Sequence, residues 1–220
     1  LFIPVYLDGD LPDAQKWADE FQVVGYPTVV VLKPDHSEIT RIAGGMDLSL
    51  YAGILDTALG DVRPVRALVD LAADGRDPLA ADDCRRLAYH AFSLEDGALA
   101  PDRLAAAFEG AGARCPAELP RERARFALLA AGALDEARKD AITGGAAPDA
   151  RHARLIRAVN DVVSDPAMGA VHVDAVAALG SPFFVAARRV SPDLAATLAT
   201  RWNAIADFAA ADHPHRDHRD

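Results

Sequence analysis

The run Val23-Val24-Gly25-Tyr26-Pro27-Thr28-Val29-Val30-Val31-Leu32 constrains the fold more than any other stretch, because it joins a glycine-proline turn directly to an unbroken β-branched segment. Proline fixes φ and removes a backbone donor, so Pro27 ends whatever precedes it and can open a strand. Thr28 to Lys33 then has the continuous pattern of a central strand covered on both faces.

Elements on either side fit an α/β arrangement. Phe2 to Leu7 is a short apolar run closed by Asp8-Gly9-Asp10, which predicts a strand feeding a helix. Ala14, Trp17, Ala18 and Phe21 fall at helical spacing, so Asp13 to Gln22 is expected to turn one apolar face to a core, with Asp10 as cap and Pro12 in the first turn. Pro34-Asp35-His36-Ser37 should reverse the chain into a second strand over Glu38 to Ala43, with His36 tolerating a positive φ. Gly44-Gly45 follow. Asp47 caps a further helix striped by Leu50, Tyr51, Ile54, Leu55 and Ala58, which Gly60 ends.

Past a linker at Asp61 to Pro64 the strand signal disappears. Helical stripes recur at Val65, Leu68, Val69 and Ala72, at Cys84, Leu87, Ala88 and Ala91, and at Leu104, Ala105, Phe108 and Ala111. They return at Leu155, Ile156, Val159 and Val163, and at Leu194, Leu198, Trp202, Ile205 and Ala209. Asp77-Pro78, Ser181-Pro182 and Ser191-Pro192 each set a capping residue before a proline and predict helix starts. No fixed repeat is present, so an irregular helical bundle is expected.

The Gly25-Tyr26-Pro27-Thr28 loop, set after a strand-helix unit and before a buried strand, resembles the cis-proline loop of the thioredoxin family from Phe2 to Leu59. The resemblance implies a strand and a helix bearing Cys-X-X-Cys upstream of Leu1. It also implies that Tyr26-Pro27 is cis, that Pro27 packs against the redox disulfide, and that Tyr26 exposes its backbone to an extended substrate, with Gly25 and Thr28 shaping the loop. One departure stands out: where these domains usually carry glycine after the central strand, this chain has His36.

Cys84 and Cys115 lie in the helical part and cannot form a Cys-X-X-Cys loop. Either they are buried free thiols or they form a structural disulfide, which requires an oxidising compartment. His213, His215 and His218 crowd a polar tail whose composition reads as a frayed end before it reads as a metal site. No metal and no cofactor is expected. A formal net charge of -10 argues against a nucleic-acid partner, and no apolar run approaches a membrane span. Hydrolase and nucleotide-binding motifs are absent from the sequence.

The expected fold class is therefore α/β plus all-α: an incomplete thioredoxin-like domain over residues 1–62, an irregular helical domain over 63–212, and a His-rich tail over 213–220. By resemblance, the chain is the carboxyl-terminal part of a bacterial thiol-disulfide oxidoreductase that itself lacks the redox dithiol. Protein or peptide thiols and disulfides would be its substrates, and the periplasm its location, with the cytoplasm as the alternative. The rival expectation is a redox-inert, thioredoxin-like module that binds proteins or acts as a chaperone.

Overall fold

The computed structural model describes residues 3–43, 48–58, 63–75, 77–92, 99–136 and 150–211. The expectations for Phe2, Gly44-Gly45, Asp47, Gly60, Asp61 and the histidine tail lie outside those residues. The chain divides into two compact units, Leu1–Ala100 and Pro101–Asp220.

In the first unit, helix α1 (Pro12–Glu20) starts with proline at its first position, where the missing N–H has no intrahelical role. Its cap is not Asp10. Leu11 occupies that position in extended conformation without a side-chain bond, while the Asp10 amide donates to Asp8 Oδ1 at 3.1 Å and turns the chain ahead of the helix. Strands β1 (Thr28–Leu32) and β2 (Glu38–Ala43) form an antiparallel pair with Val30 opposite Arg41. Between them the Lys33 amide donates to the Ser37 carbonyl at 2.9 Å, and His36 takes φ 67°, as its place in the turn predicts. Helices α2 (Leu48–Thr57), α3 (Val65–Asp74) and α4 (Ala81–Tyr89) complete the unit.

Val31, Ile39 and Ala58 form a small core beneath the hairpin, and α3 buries the expected stripe of Val65, Leu68, Val69 and Ala72. The change of sequence pattern near residue 62 does not coincide with the division of the units, because α3 packs on β2 and α4 packs on α2 and α3. His90, just past α4, accepts the Arg41 amide at 3.0 Å through Nδ1, and the Ala91 amide donates to the Arg41 carbonyl at 2.9 Å.

Three further expectations fail in this unit. Ile3 to Asp8 has no strand structure, since no neighbouring strand among the described residues offers it a ladder; Tyr6 is 91% exposed. Only Val31 of β1 is buried, since among the described residues β1 pairs with β2 alone and no third strand covers its other side. Asp77-Pro78 does not start a helix; α4 begins at Ala81 behind an extended Ala80.

The second unit is helical throughout its described residues: α5 (Pro101–Arg114), α6 (Pro120–Glu136), α7 (Ala150–Val163), α8 (Pro166–Val171), α9 (Val173–Val190) and α10 (Pro192–Ala211). Helix α6 packs between α5 and α7, where Phe108 and Phe126 stack with ring centroids 6.2 Å apart. Ile156, Val159, Val163, Val176, Phe183, Leu198 and Ile205 belong to one core cluster of this unit. Ser191 caps α10, accepting the Leu194 amide at 3.3 Å, as Ser191-Pro192 predicts. Asp165 caps α8 in the same way, a Ser-Asp-Pro signal that was legible and not singled out.

Ser181-Pro182 starts nothing. It lies inside α9, whose buried stripe of Val176, Phe183 and Ala187 runs across the proline and holds both flanks on the core, offsetting the lost backbone bond.

Candidate functional site

β1, which among the described residues pairs on one side only, borders a concavity of about 600 Å³. Its floor includes Val29 and Val30, one wall comes from Val5 to Leu7, and another from Trp17, Ala18 and Phe21 on and just after α1. Tyr26, Pro27 and Thr28 stand at its edge, with the Tyr26-Pro27 bond cis. The Thr28 hydroxyl donates to the Gly25 carbonyl and folds the loop back on itself. All four residues of the Gly-Tyr-Pro-Thr loop are thus gathered in one place.

Gly9 makes that placement sterically feasible. A Cβ on Gly9 would meet the Tyr26 ring at 3.0 Å, so the ring, 61% exposed, lies close over Gly9 and would have to give way to a larger residue there. Gln15 donates to the Gly9 carbonyl and holds this turn against α1.

The α1 wall is held by a buried cation. Arg41 on β2 is 2% exposed and donates to the carbonyls of Phe21 at 2.6 Å and Gln22 at 3.0 Å, closing the end of α1, while Glu38 accepts from it at 2.8 Å and 3.1 Å. Helix C-termini leave carbonyls without intrahelical donors, and Arg41 supplies them.

A feature the sequence pattern misplaces is the aromatic shelf above the groove. Trp17 and Phe21 look like core residues by spacing, yet Trp17 is 39% exposed and stacks on Phe21 with centroids 5.6 Å apart and planes 9° from parallel. His36 sets its edge against both, at 6.3 Å and 6.5 Å, with Nδ1 3.9 Å from Glu20. The i, i+4 pair of large aromatics on a short helix was the available signal.

Neither cysteine is at the groove. Cys84 on α4 and Cys115 just past α5 are buried and joined in a disulfide, which decides between the two sequence readings. No group of His, Cys, Asp or Glu among the described residues has metal-holding geometry. Among the described residues, no helix is long and apolar enough to cross a membrane.

A second polar cluster lies in the helical unit. His172, at the break between α8 and α9, is fully buried, and neither ring nitrogen has a hydrogen-bond partner. Burial first, and then the Arg125 guanidinium, push its pKa down to about 4; the Asp174 carboxylate opposes this and is outweighed. Arg125 grips Asp174 with two bonds of 2.9 Å and 2.6 Å. Burial would raise the Asp174 pKa, but that grip holds the carboxyl below its usual range.

Comparisons with protein-family models, curated proteins and solved structures find no match to this chain.

Proposed function

We propose that the chain supplies the peptide-facing part of a thioredoxin-family thiol-disulfide oxidoreductase, with the redox dithiol contributed by sequence outside these residues. The observation that carries this reading is the placement of the Gly25–Thr28 loop beside a groove floored by a strand that, among the described residues, pairs on one side only. An extended peptide can hydrogen-bond to such a backbone edge while its side chains settle in the apolar lining. Tyr26 offers backbone groups to the substrate, and Pro27 presents an apolar surface to a sulfur site. A Cys-X-X-Cys dithiol would supply the exchange itself, becoming oxidised as the substrate disulfide is reduced.

The buried Cys84–Cys115 disulfide fits an oxidising compartment, and supports a periplasmic location. The same bond favours one second reading. With both sulfurs tied up away from the groove, the chain by itself is suited to bind peptides without exchanging disulfides.

An insulin-reduction assay separates the two. The 220-residue chain should be inactive. The chain joined to the sequence that precedes it should reduce insulin, and Pro27→Ala should lower that rate. If the preceding sequence carries no Cys-X-X-Cys and gives no activity, the binding module stands. If the chain alone turns over disulfides and Cys84→Ser abolishes this, the proposed site is wrong.

A further inference from the structure

Apolar walls decide that a peptide enters the groove; the charges around its rim decide which one. Asp8 and Asp10 flank Gly9, Glu20 precedes Phe21, and Asp35 precedes His36, so these three lining residues each have an exposed carboxylate as an immediate neighbour. The cations near the rim do not balance them. The Lys16 ammonium is held by Asp13 at 2.8 Å, which leaves Lys33, next to Leu32, as the counterweight among the described residues of this rim. Hydrogen bonds from the Ser37 hydroxyl and amide keep the Asp35 carboxyl below its usual range, so it stays charged. The whole chain, at a formal net charge of -10, adds a field of the same sign.

We propose that the groove selects extended segments carrying an aromatic or large aliphatic residue bracketed by lysine or arginine. This rests on the peptide-facing reading of the loop and adds the chemistry of the partner. The central side chain lies against the Trp17–Phe21 shelf, the backbone lies along the open edge of β1, and the flanking cations meet the acidic rim. β1 spans five residues, so the segment it pairs with is of about that length, roughly 17 Å when extended. Rim charges act on encounter and partner choice more than on total affinity, so the selection is expected to be strongly salt-dependent. A nucleic-acid strand, although it too offers flat rings, is repelled by the same carboxylates.

The test uses the full chain with Trp202→Phe, which leaves Trp17 as the fluorescent reporter of the groove. Two peptides share the core Val-Thr-Phe-Val-Thr; one has Lys-Lys at both ends and the other Glu-Glu. The lysine peptide should bind about tenfold tighter at low salt, with the gap closing as salt rises. A chain carrying Asp8→Asn, Asp10→Asn and Glu20→Gln should lose most of that preference, the remainder coming from Asp35 and the net charge. Equal binding of both peptides to the parent chain, or tighter binding of the glutamate peptide, overturns the selection while leaving the peptide-facing reading intact. Binding of neither overturns both. If sedimentation shows a dimer that neither peptide dissociates, the groove is covered by a second copy and the proposal fails.

Discussion

Lowering the pH should weaken the helical unit through one side chain, His172. The unfolded chain takes up a proton on this imidazole near the ordinary value of 6.5, whereas the folded chain does so only near about 4. Between those values the unfolded state binds more protons, so stability is full above the upper value, falls as pH drops, and levels off below the lower one. The whole interval corresponds to about 3 kcal/mol, and about 2 kcal/mol of it is lost by about pH 5. Urea unfolding, followed by Trp202 fluorescence in a Trp17→Phe background, should be measured near pH 7.5 and near pH 5 for the parent and for His172→Phe. Carboxylates titrate in both chains and cancel in the comparison. The parent should lose about 2 kcal/mol more than the variant. Near neutral pH the variant also removes two buried nitrogens that lack partners, which limits the cost of the substitution. Equal losses in the two chains would show that water or a donor reaches His172, and would refute the reasoning.

Other perturbations test the packing. A Cβ on Gly169 would lie 2.2 Å from Ile205 Cδ1 and 2.7 Å from its Cγ1, so Gly169→Ala should destabilise by about 1 kcal/mol net, overpacking of about 1–3 kcal/mol exceeding the helical gain of alanine; Ile205→Val, which removes Cδ1 and keeps Cγ1, should recover only part of it in thermal denaturation. Replacing both Cys84 and Cys115 by serine opens a loop of about 30 residues and should cost about 3–4 kcal/mol in urea unfolding. Arg41→Met leaves the Phe21 and Gln22 carbonyls without their donor and Glu38 without its partner, so it should cost about 3 kcal/mol and loosen the α1 wall, read as faster hydrogen exchange there.

What was legible followed from local chemistry. Pro27 and the β-branched run after it marked a strand, Pro34 to Ser37 marked its turn, and the stripe from Val65 to Ala72 marked a buried helix face; each signal lies within a few residues of what it specifies. The misses depend on distant partners. Ile3 to Leu7 has strand chemistry, but a strand exists only where another chain segment accepts its hydrogen bonds, and none of the described residues does so. Ser181-Pro182 carries a start signal that packing on either side overrides. Arg41 looks like a surface residue of a hairpin and is buried because two carbonyls some twenty positions earlier in the chain need its guanidinium. His172 gave no signal at all, since the burial of one imidazole is set by helices that meet it from elsewhere in the sequence. At the groove, the Gly25–Thr28 loop could be read directly, whereas the shelf of Trp17, Phe21 and His36 required the turn to bring His36 back over α1.

The central claim is that an extended peptide lies along the open edge of β1 beside Tyr26 and Pro27. Amide hydrogen exchange across Thr28–Leu32, measured with and without the lysine-flanked peptide, tests it directly. Amides of β1 that point away from β2 should become protected when the peptide binds, and Gly9→Leu, which drives a side chain into the Tyr26 ring, should reduce that protection. Protection confined to residues outside the groove, with the β1 edge exchanging as fast as in the free chain, would contradict the account.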